Sequence, residues 1–402
     1  MPETTQQSTQ VANEYAEHAK RLTTYAKTTI LITISLLVAF YSMSLDKQEK
    51  KIFILASFAS LLFALLFELI LLVLIGCIEE PNWNCFPCQY GEQMYFFIYG
   101  SNLLLMLTAL FLLLLCTSRY TFLSVFLVLM LPVIASLFYQ ATKMVHTESI
   151  KKYKEHDSEL NCSSELSAAV VIMLFAGLSS IVFSSATLPR QNLEIKTTEC
   201  FLYITIIMGL LLMLLTSVPP AVLQQSTRVR MVKAVKSLAY TIVSLLALVG
   251  LLAACEIIQG LVVLSTSVHI AGAMYWFVRE LRCKLPDQII AGPVQVPRME
   301  LDPLSMVLAS GTFSILMLVY STNVDNSKLH NRSAYFVLMA VCMLSLCSTF
   351  ISSLGKMIIF RYYLQTRPWK NAKVVMSFIT YPVLFVAALS SFLLALYKHH
   401  DI

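Results

Sequence analysis

The chain has 402 residues, of which 57% are hydrophobic and only 13% are charged, and its mean hydropathy is +0.73. This number of charged side chains is too small to cover the surface of a water-soluble domain. The composition therefore indicates an integral membrane protein that contacts the lipid bilayer. The net charge of +6 is carried by loops between apolar runs. It therefore indicates topology and attraction to anionic lipid headgroups, and not nucleic-acid binding.

Long apolar runs fill the chain from about residue 26 to residue 397. Most approach the roughly 20 residues with which a helix crosses a ~30 Å hydrocarbon core. Because lipid offers the backbone no hydrogen-bond partners, each run is expected to be helical. The sequence predicts an all-α, polytopic transmembrane helix bundle of about 11 helices, near residues 26–45, 52–77, 95–116, 121–140, 167–187, 200–223, 237–254, 261–279, 303–320, 333–355 and 374–397.

The basic residues define an expected orientation. More than two thirds of the 29 Lys and Arg residues fall in alternate loops, which places the N-terminus in the cytosol and the C-terminus outside. The polar first 25 residues contain no cleavable targeting segment, so the first run is expected to stay as a signal anchor in the plasma membrane or an endomembrane. Only the loop 78–94 disagrees, since it is acidic, and it could face either side.

The second run contains Glu68 deep among apolar residues. A carboxylate at that depth costs about 2.5 to 3.5 kcal/mol on insertion scales, so it needs a partner, a proton or water. It could line a path for cations or protons, or it could be a protonated group bonded to a neighbouring helix. Asn102, in the third run, could likewise line a path or simply join two helices.

Cys85 and Cys88 form the one local thiol pair, in the loop before the third run. The pair could become a disulfide if that loop faced the lumen, but a zinc site needs four ligands and the sequence supplies no others nearby. We therefore expect no metal and no cofactor. Ten scattered cysteines also indicate no disulfide framework.

Hydroxyl-bearing residues mark the fifth, sixth and tenth runs. Thr216 and Ser217 precede Pro219 and Pro220, where a broken helix could expose polar groups to a path. Ser345, Thr349, Ser352 and Ser353 share one face of the tenth run. Such a face could line a pore or allow close helix packing.

Glu256 and His269 lie in and just after the short connection between the seventh and eighth runs. Glu256 lies in the expected turn, where it could form an acidic mouth for cations or be a solvated loop residue. His269 lies inside the eighth run. It could join Glu68 in a proton relay, although a lone His is more often a hydrogen-bonded core residue.

Similar phrases around Ser42, Ser185 and Ser321 recur about 140 residues apart, each ending a first helix that a short loop and a second helix follow. The phrases predict parallel repeats of four, four and three helices, or they reflect chance similarity among apolar helices. The resulting segments are 1–25 (cytosolic), 26–140 (repeat one), 141–166 (cytosolic loop), 167–280 (repeat two), 281–302 (cytosolic loop), 303–397 (repeat three) and 398–402 (extracytosolic tail).

In these phrases the chain resembles the four-helix membrane domain, named for a Pro-Gly-Gly signature, that follows ankyrin repeats in many plant proteins. The resemblance covers the first helix pair of each repeat. The chain has no Pro-Gly-Gly after Leu45, Leu188 or Val324, and no ankyrin repeats precede it. The resemblance implies a plant signalling, defence or ion-permeation role and transfers no site residue.

The sequence predicts a channel or transporter for ions or small solutes. The alternative is a non-conducting signalling or scaffold protein whose basic cytosolic loops recruit partners or anionic lipids. A membrane-embedded enzyme is the third hypothesis, but no catalytic motif is found. Faces of small residues would also suit a homo-oligomer.

Overall fold

A computed structural model describes residues 2–41, 51–79, 87–116, 153–187, 197–217, 225–262, 303–323, 333–362 and 367–400. Within these ranges every secondary-structure element is helical, which confirms the predicted all-α class. The helices are α1 Pro2–Tyr41, α2 Lys51–Glu79, α3 Pro87–Cys116, α4 Tyr153–Thr187, α5 Thr197–Ser217, α6 Gln225–Ile258, α7 Pro303–Asn323, α8 Ser333–Tyr362 and α9 Arg367–His400.

Seven of these nine described helices are long and apolar enough to cross a membrane. Shorter apolar segments, Phe96–Leu112 and Thr380–Leu396, lie in α3 and α9. The chain is therefore an all-helical membrane protein with several candidate spans. The predicted runs 121–140 and 261–279 lie outside the described residues, apart from the first two residues of the second run, so the count of 11 stays a prediction.

Two boundaries differ from the sequence prediction. α1 begins at Pro2, so most of the polar segment 1–25 is helical. The predicted loop 141–166 is too long, because α4 begins at Tyr153 and its candidate span begins at Leu160. This part of α4 contains three buried serines, Ser163, Ser164 and Ser167. Polar residues of this kind suggest a loop in a hydropathy profile, but small serines are common where helices pack closely.

The chain divides into two compact units, Met1–Leu245 and Leu246–Ile402. The division falls inside α6 and not at either predicted inter-repeat loop. The predicted repeats stay a prediction.

In the first unit α4 is the most enclosed helix. It packs against α1, α3 and α5. In the most apolar stretch of α4, 72% of the residues are buried, whereas in the most apolar stretch of α2 only 33% are buried. α2 packs against α1 and α3 only on one side. Its other side exposes large apolar side chains, among them Leu55, Phe63 and Val73, which is the pattern of a helix that faces lipid.

α2 and α3 approach closely at Gly100. A Cβ atom at this position would lie 2.4 Å from Cε2 of Phe67, whose ring centroid is 5.4 Å from that of Phe97. Further along the same two helices, the hydroxyl of Ser60 in α2 lies 2.8 Å from the hydroxyl of Thr108 in α3. A missing side chain, an aromatic cluster and one interhelical hydrogen bond thus set the α2–α3 distance.

In the second unit α8 packs between α7 and α9. Phe350 of α8 lies against Phe313 of α7, with ring centroids 5.0 Å apart. Its ring also fills the space over Gly250 of α6, where a Cβ would lie 2.9 Å from Cε1. The hydroxyls of Ser352 and Thr380 are 2.7 Å apart and join α8 to α9.

We predict that Gly100→Val destabilises the protein by about 1 to 3 kcal/mol, the usual range for overpacking, because Phe67 must move away from α3. Thermal unfolding of the purified protein in detergent measures the effect. Gly76→Val is the matched control, since a Cβ there meets nothing within 4 Å. Equal effects of the two substitutions would show that the Phe67–Gly100 contact does not set the helix distance.

Candidate functional site

The candidate site lies where the buried faces of α1, α2 and α3 meet. On α2 these buried residues recur at helical spacing and include Leu61, Ala64, Glu68 and Leu71. Glu68 therefore lies on the protein-facing stripe of a helix whose opposite side faces lipid. It is fully buried, about 12 Å along the helix from Gly76 at the end of the candidate span.

Glu68 has no hydrogen-bond partner among the residues that the structure describes. Neither carboxylate oxygen is bonded to any side chain or backbone group that the structure describes. The Ser101 hydroxyl lies near the carboxylate but does not form a hydrogen bond of normal geometry with it. No basic side chain in the described ranges compensates the charge. Buried ionisable groups are normally paired, so this arrangement requires an explanation.

Asn102 shows the same deficiency. It is 2% exposed, and neither its Oδ1 nor its Nδ2 atom has a hydrogen-bond partner among the described residues. The Thr29 hydroxyl of α1 is also buried and unbonded within those ranges. An unbonded buried polar group costs about 1 to 3 kcal/mol. Three such side chains close together therefore indicate a candidate binding site for a polar or charged ligand.

Tyr25 connects the three helices. Its hydroxyl donates to the carbonyl oxygen of Ile98 at 3.0 Å and lies 2.9 Å from Oγ of Ser101. Tyr25 is also within electrostatic reach of Glu68, and within side-chain interaction distance of Thr29 and Asn102. We call Tyr25, Thr29, Glu68, Ser101 and Asn102 the Glu68 cluster.

The structure brings together two of the predicted site residues, Glu68 and Asn102. Tyr25, Thr29 and Ser101 were not predicted. Their signal in the sequence is weak but present. Tyr25 and Thr29 are spaced i, i+4 on the same helical face, and Ser101 directly precedes Asn102.

Thr216 and Ser217 are buried at the end of α5, but their hydroxyls serve their own helix. Thr216 donates to the carbonyl oxygens of Leu212 and Met213, and Ser217 donates to that of Leu214. These bonds fix both side chains at the end of α5, and a place for them beside a path stays a prediction. Pro219 and Pro220 lie outside the described residues.

Three of the four predicted hydroxyls on the buried face of α8 are also bonded, whereas that of Ser353 has no hydrogen-bond partner among the described residues. Ser345 and Thr349 donate to carbonyl oxygens one turn earlier, and Ser352 bonds to Thr380 of α9. All four predicted residues of this face are buried. In the second unit this face therefore contributes to helix packing.

Glu256 was predicted to lie in a turn, and this is wrong, because α6 continues to Ile258. A short 3-10 helix, Gln259–Leu261, follows α6, and the φ of 50° at Gln259 is the one positive value among the described non-glycine residues. Glu256 is half-buried and accepts a hydrogen bond of 2.6 Å from the hydroxyl of Tyr320. It is therefore fixed to α7 and is not a freely solvated loop residue.

A second polar contact joins α7 to α8 near the end of α7. The hydroxyl of Tyr335, in α8, donates to Oδ1 of Asn323 in α7, and the amide nitrogen of Asn323 donates to the carbonyl oxygen of Val319 at 2.8 Å. Together with Tyr320 and Glu256, these contacts tie three helices of the second unit to one another.

Three further candidates lie wholly or partly outside the described residues. His269 and Cys85 lie outside the described residues, and Cys88 lies in the first turn of α3 with its side chain outside them. Among the described residues no group of three or more His, Cys, Asp or Glu side chains could hold a metal ion.

Comparisons of the chain with protein-family models, with curated proteins and with solved structures found no match.

We predict that Tyr320→Phe destabilises the second unit by about 1.5 to 3 kcal/mol, the usual range for a hydrogen bond to a charged group, because it leaves Glu256 without this donor. Thermal unfolding in detergent of Tyr320→Phe, Glu256→Leu and the double variant measures the coupling. The double variant should be less destabilised than the sum of the two single variants. Simple additivity would show that the 2.6 Å contact contributes nothing of its own.

Proposed function

We propose that the chain is a membrane transport protein, a channel or transporter for ions or small solutes, whose path passes the Glu68 cluster. The observation that supports this is the buried Glu68 carboxylate, which has no hydrogen bond and no opposite charge among the described residues. Ionisable residues inside a membrane span commonly mark ion pathways and proton relays.

The arrangement of the rest of the first unit favours the same function. Several other buried hydroxyls are satisfied locally, as when Thr33 donates to the carbonyl of Thr29 at 2.7 Å and Thr205 donates to that of Phe201 at 2.6 Å. Among the described residues, half of the buried side-chain nitrogen and oxygen atoms that make no hydrogen bond belong to Glu68, Asn102 and Thr29. A helix bundle held together only by packing has no need of such a concentration, whereas a transported cation or a polar solute could satisfy it.

The signalling or scaffold function is the competing hypothesis. It rests on the basic loops and on the resemblance to the plant four-helix membrane domain, and it requires no polar site inside the bundle. The two hypotheses differ in one measurable property, which is flux through the protein alone.

We expect the purified protein in liposomes to conduct a cation flux, and Glu68→Gln to lower that flux by about tenfold or more, the effect of losing roughly 1.4 kcal/mol of ion stabilisation. The substitution preserves the shape of the side chain and removes its charge. Isotopic cation uptake at equal protein incorporation is the measurement.

Ser60→Ala is the matched control, because it removes a polar contact between the same two helices at a different level, the Ser60–Thr108 hydrogen bond. Its flux should equal that of the unaltered protein. Equal flux through Glu68→Gln would remove Glu68 from the path. Silent liposomes containing folded protein would contradict transport and favour the scaffold.

A further inference from the structure

The Glu68 cluster has the charge of a single carboxylate. Within the described ranges it includes no second acidic residue, and no basic side chain pairs with Glu68. A bare charge in a low-dielectric interior is strongly unfavourable, so it must be neutralised on site. One positive charge neutralises the cluster, whereas a divalent ion would leave a net charge of about +1 buried in the membrane.

The cluster also offers a specific set of ligand atoms. The unbonded acceptors are the two carboxylate oxygens of Glu68, Oδ1 of Asn102 and Oγ1 of Thr29. Oγ of Ser101 lies beside them and donates to the carbonyl of Ile98 at 3.1 Å. Every one of these atoms is an uncharged or anionic oxygen, the ligand type that hard cations prefer over nitrogen or sulfur.

The hydrogen bonds around Tyr25 orient the hydroxyls in a way that suits a cation. Both Tyr25 and Ser101 lie within bonding distance of the same acceptor, the carbonyl oxygen of Ile98, and of each other. Their protons are thereby directed at protein oxygens. The lone pairs of Ser101 are left for a positively charged ligand, and an anion would meet the Glu68 carboxylate instead.

We propose that the Glu68 cluster binds a single monovalent alkali cation, with Glu68 supplying the charge and Asn102, Thr29 and Ser101 supplying neutral oxygen ligands. This inference deepens the proposed transport function and rests on it for the role of the bound ion. Tyr25 is a positioning residue, since it holds Ser101 and joins α1 to α3.

Equilibrium binding of radioactive Na⁺ to the purified full chain in detergent tests this proposal without requiring flux. We expect saturable binding that non-radioactive Na⁺ or K⁺ displaces and that choline does not displace. Glu68→Gln should weaken it by at least about tenfold, which corresponds to about 1.4 kcal/mol. Asn102→Leu should weaken it less, because it removes a neutral ligand, and Ser60→Ala should leave it unchanged.

Each variant is compared by size-exclusion profile and by thermal unfolding without Na⁺, so that loss of folding is not mistaken for loss of the ion. A second readout, stabilisation against heat by added Na⁺, should disappear in Glu68→Gln alone. If Asn102→Leu fails to fold, Glu68→Gln and the heat readout still decide the proposal.

Three results would overturn the proposal: no saturable alkali binding to folded protein, binding that Glu68→Gln leaves intact, or tighter binding of Ca²⁺ than of Na⁺. The first would identify Glu68 as a protonated acid. Flux is a separate result. Binding without flux contradicts the transport function and leaves the site standing, whereas flux without binding contradicts the site and leaves transport standing.

Discussion

The hydrocarbon core of a membrane offers no hydrogen-bond partners, and this constraint governs the described structure. Backbone groups satisfy one another, and so each described element is a helix. Side-chain hydroxyls face the same constraint, and they meet it by donating to carbonyl oxygens one turn earlier, as Thr108, Thr312 and Thr349 do. Against this background, a buried carboxylate without a hydrogen bond is informative.

The Glu68 cluster is informative for this reason. Its members come from three helices, and each side chain belongs to a stripe that packing would otherwise fill with apolar residues. Glu68, Asn102 and Thr29 remain unbonded within the described ranges even though Tyr25 and Ser101 nearby are bonded. Most of the first unit is thus closely packed, whereas the region around Glu68 has polar atoms that could still bind a ligand. This contrast connects local packing to the proposed binding of a cation.

The second unit uses polar groups differently. Tyr320 with Glu256, Tyr335 with Asn323, and Ser352 with Thr380 each join two helices by a completed hydrogen bond. Buried charge also appears at Lys356, whose ammonium lies 5.2 Å from the centre of the Tyr381 ring. These three pairs are complete, whereas Glu68 and Asn102 in the first unit make no side-chain hydrogen bond within the described ranges. The same residue types thus have different roles, which their partners decide.

Composition and hydropathy by themselves determined the membrane class, the helical elements and the choice of Glu68 as a candidate site residue. All three depend on the free energy of moving side chains from water into lipid. They also gave the hydroxyl face of α8, since helical spacing alone puts those residues on one side. Only the tertiary structure decided which polar residues are satisfied. It showed that Thr216 and Ser217 bond to their own helix, that Glu256 is held by Tyr320, and that Tyr25 and Ser101 belong beside Glu68. Hydrogen-bond partners come from distant parts of the chain, so their identity depends on how the helices pack and is not encoded in any one segment.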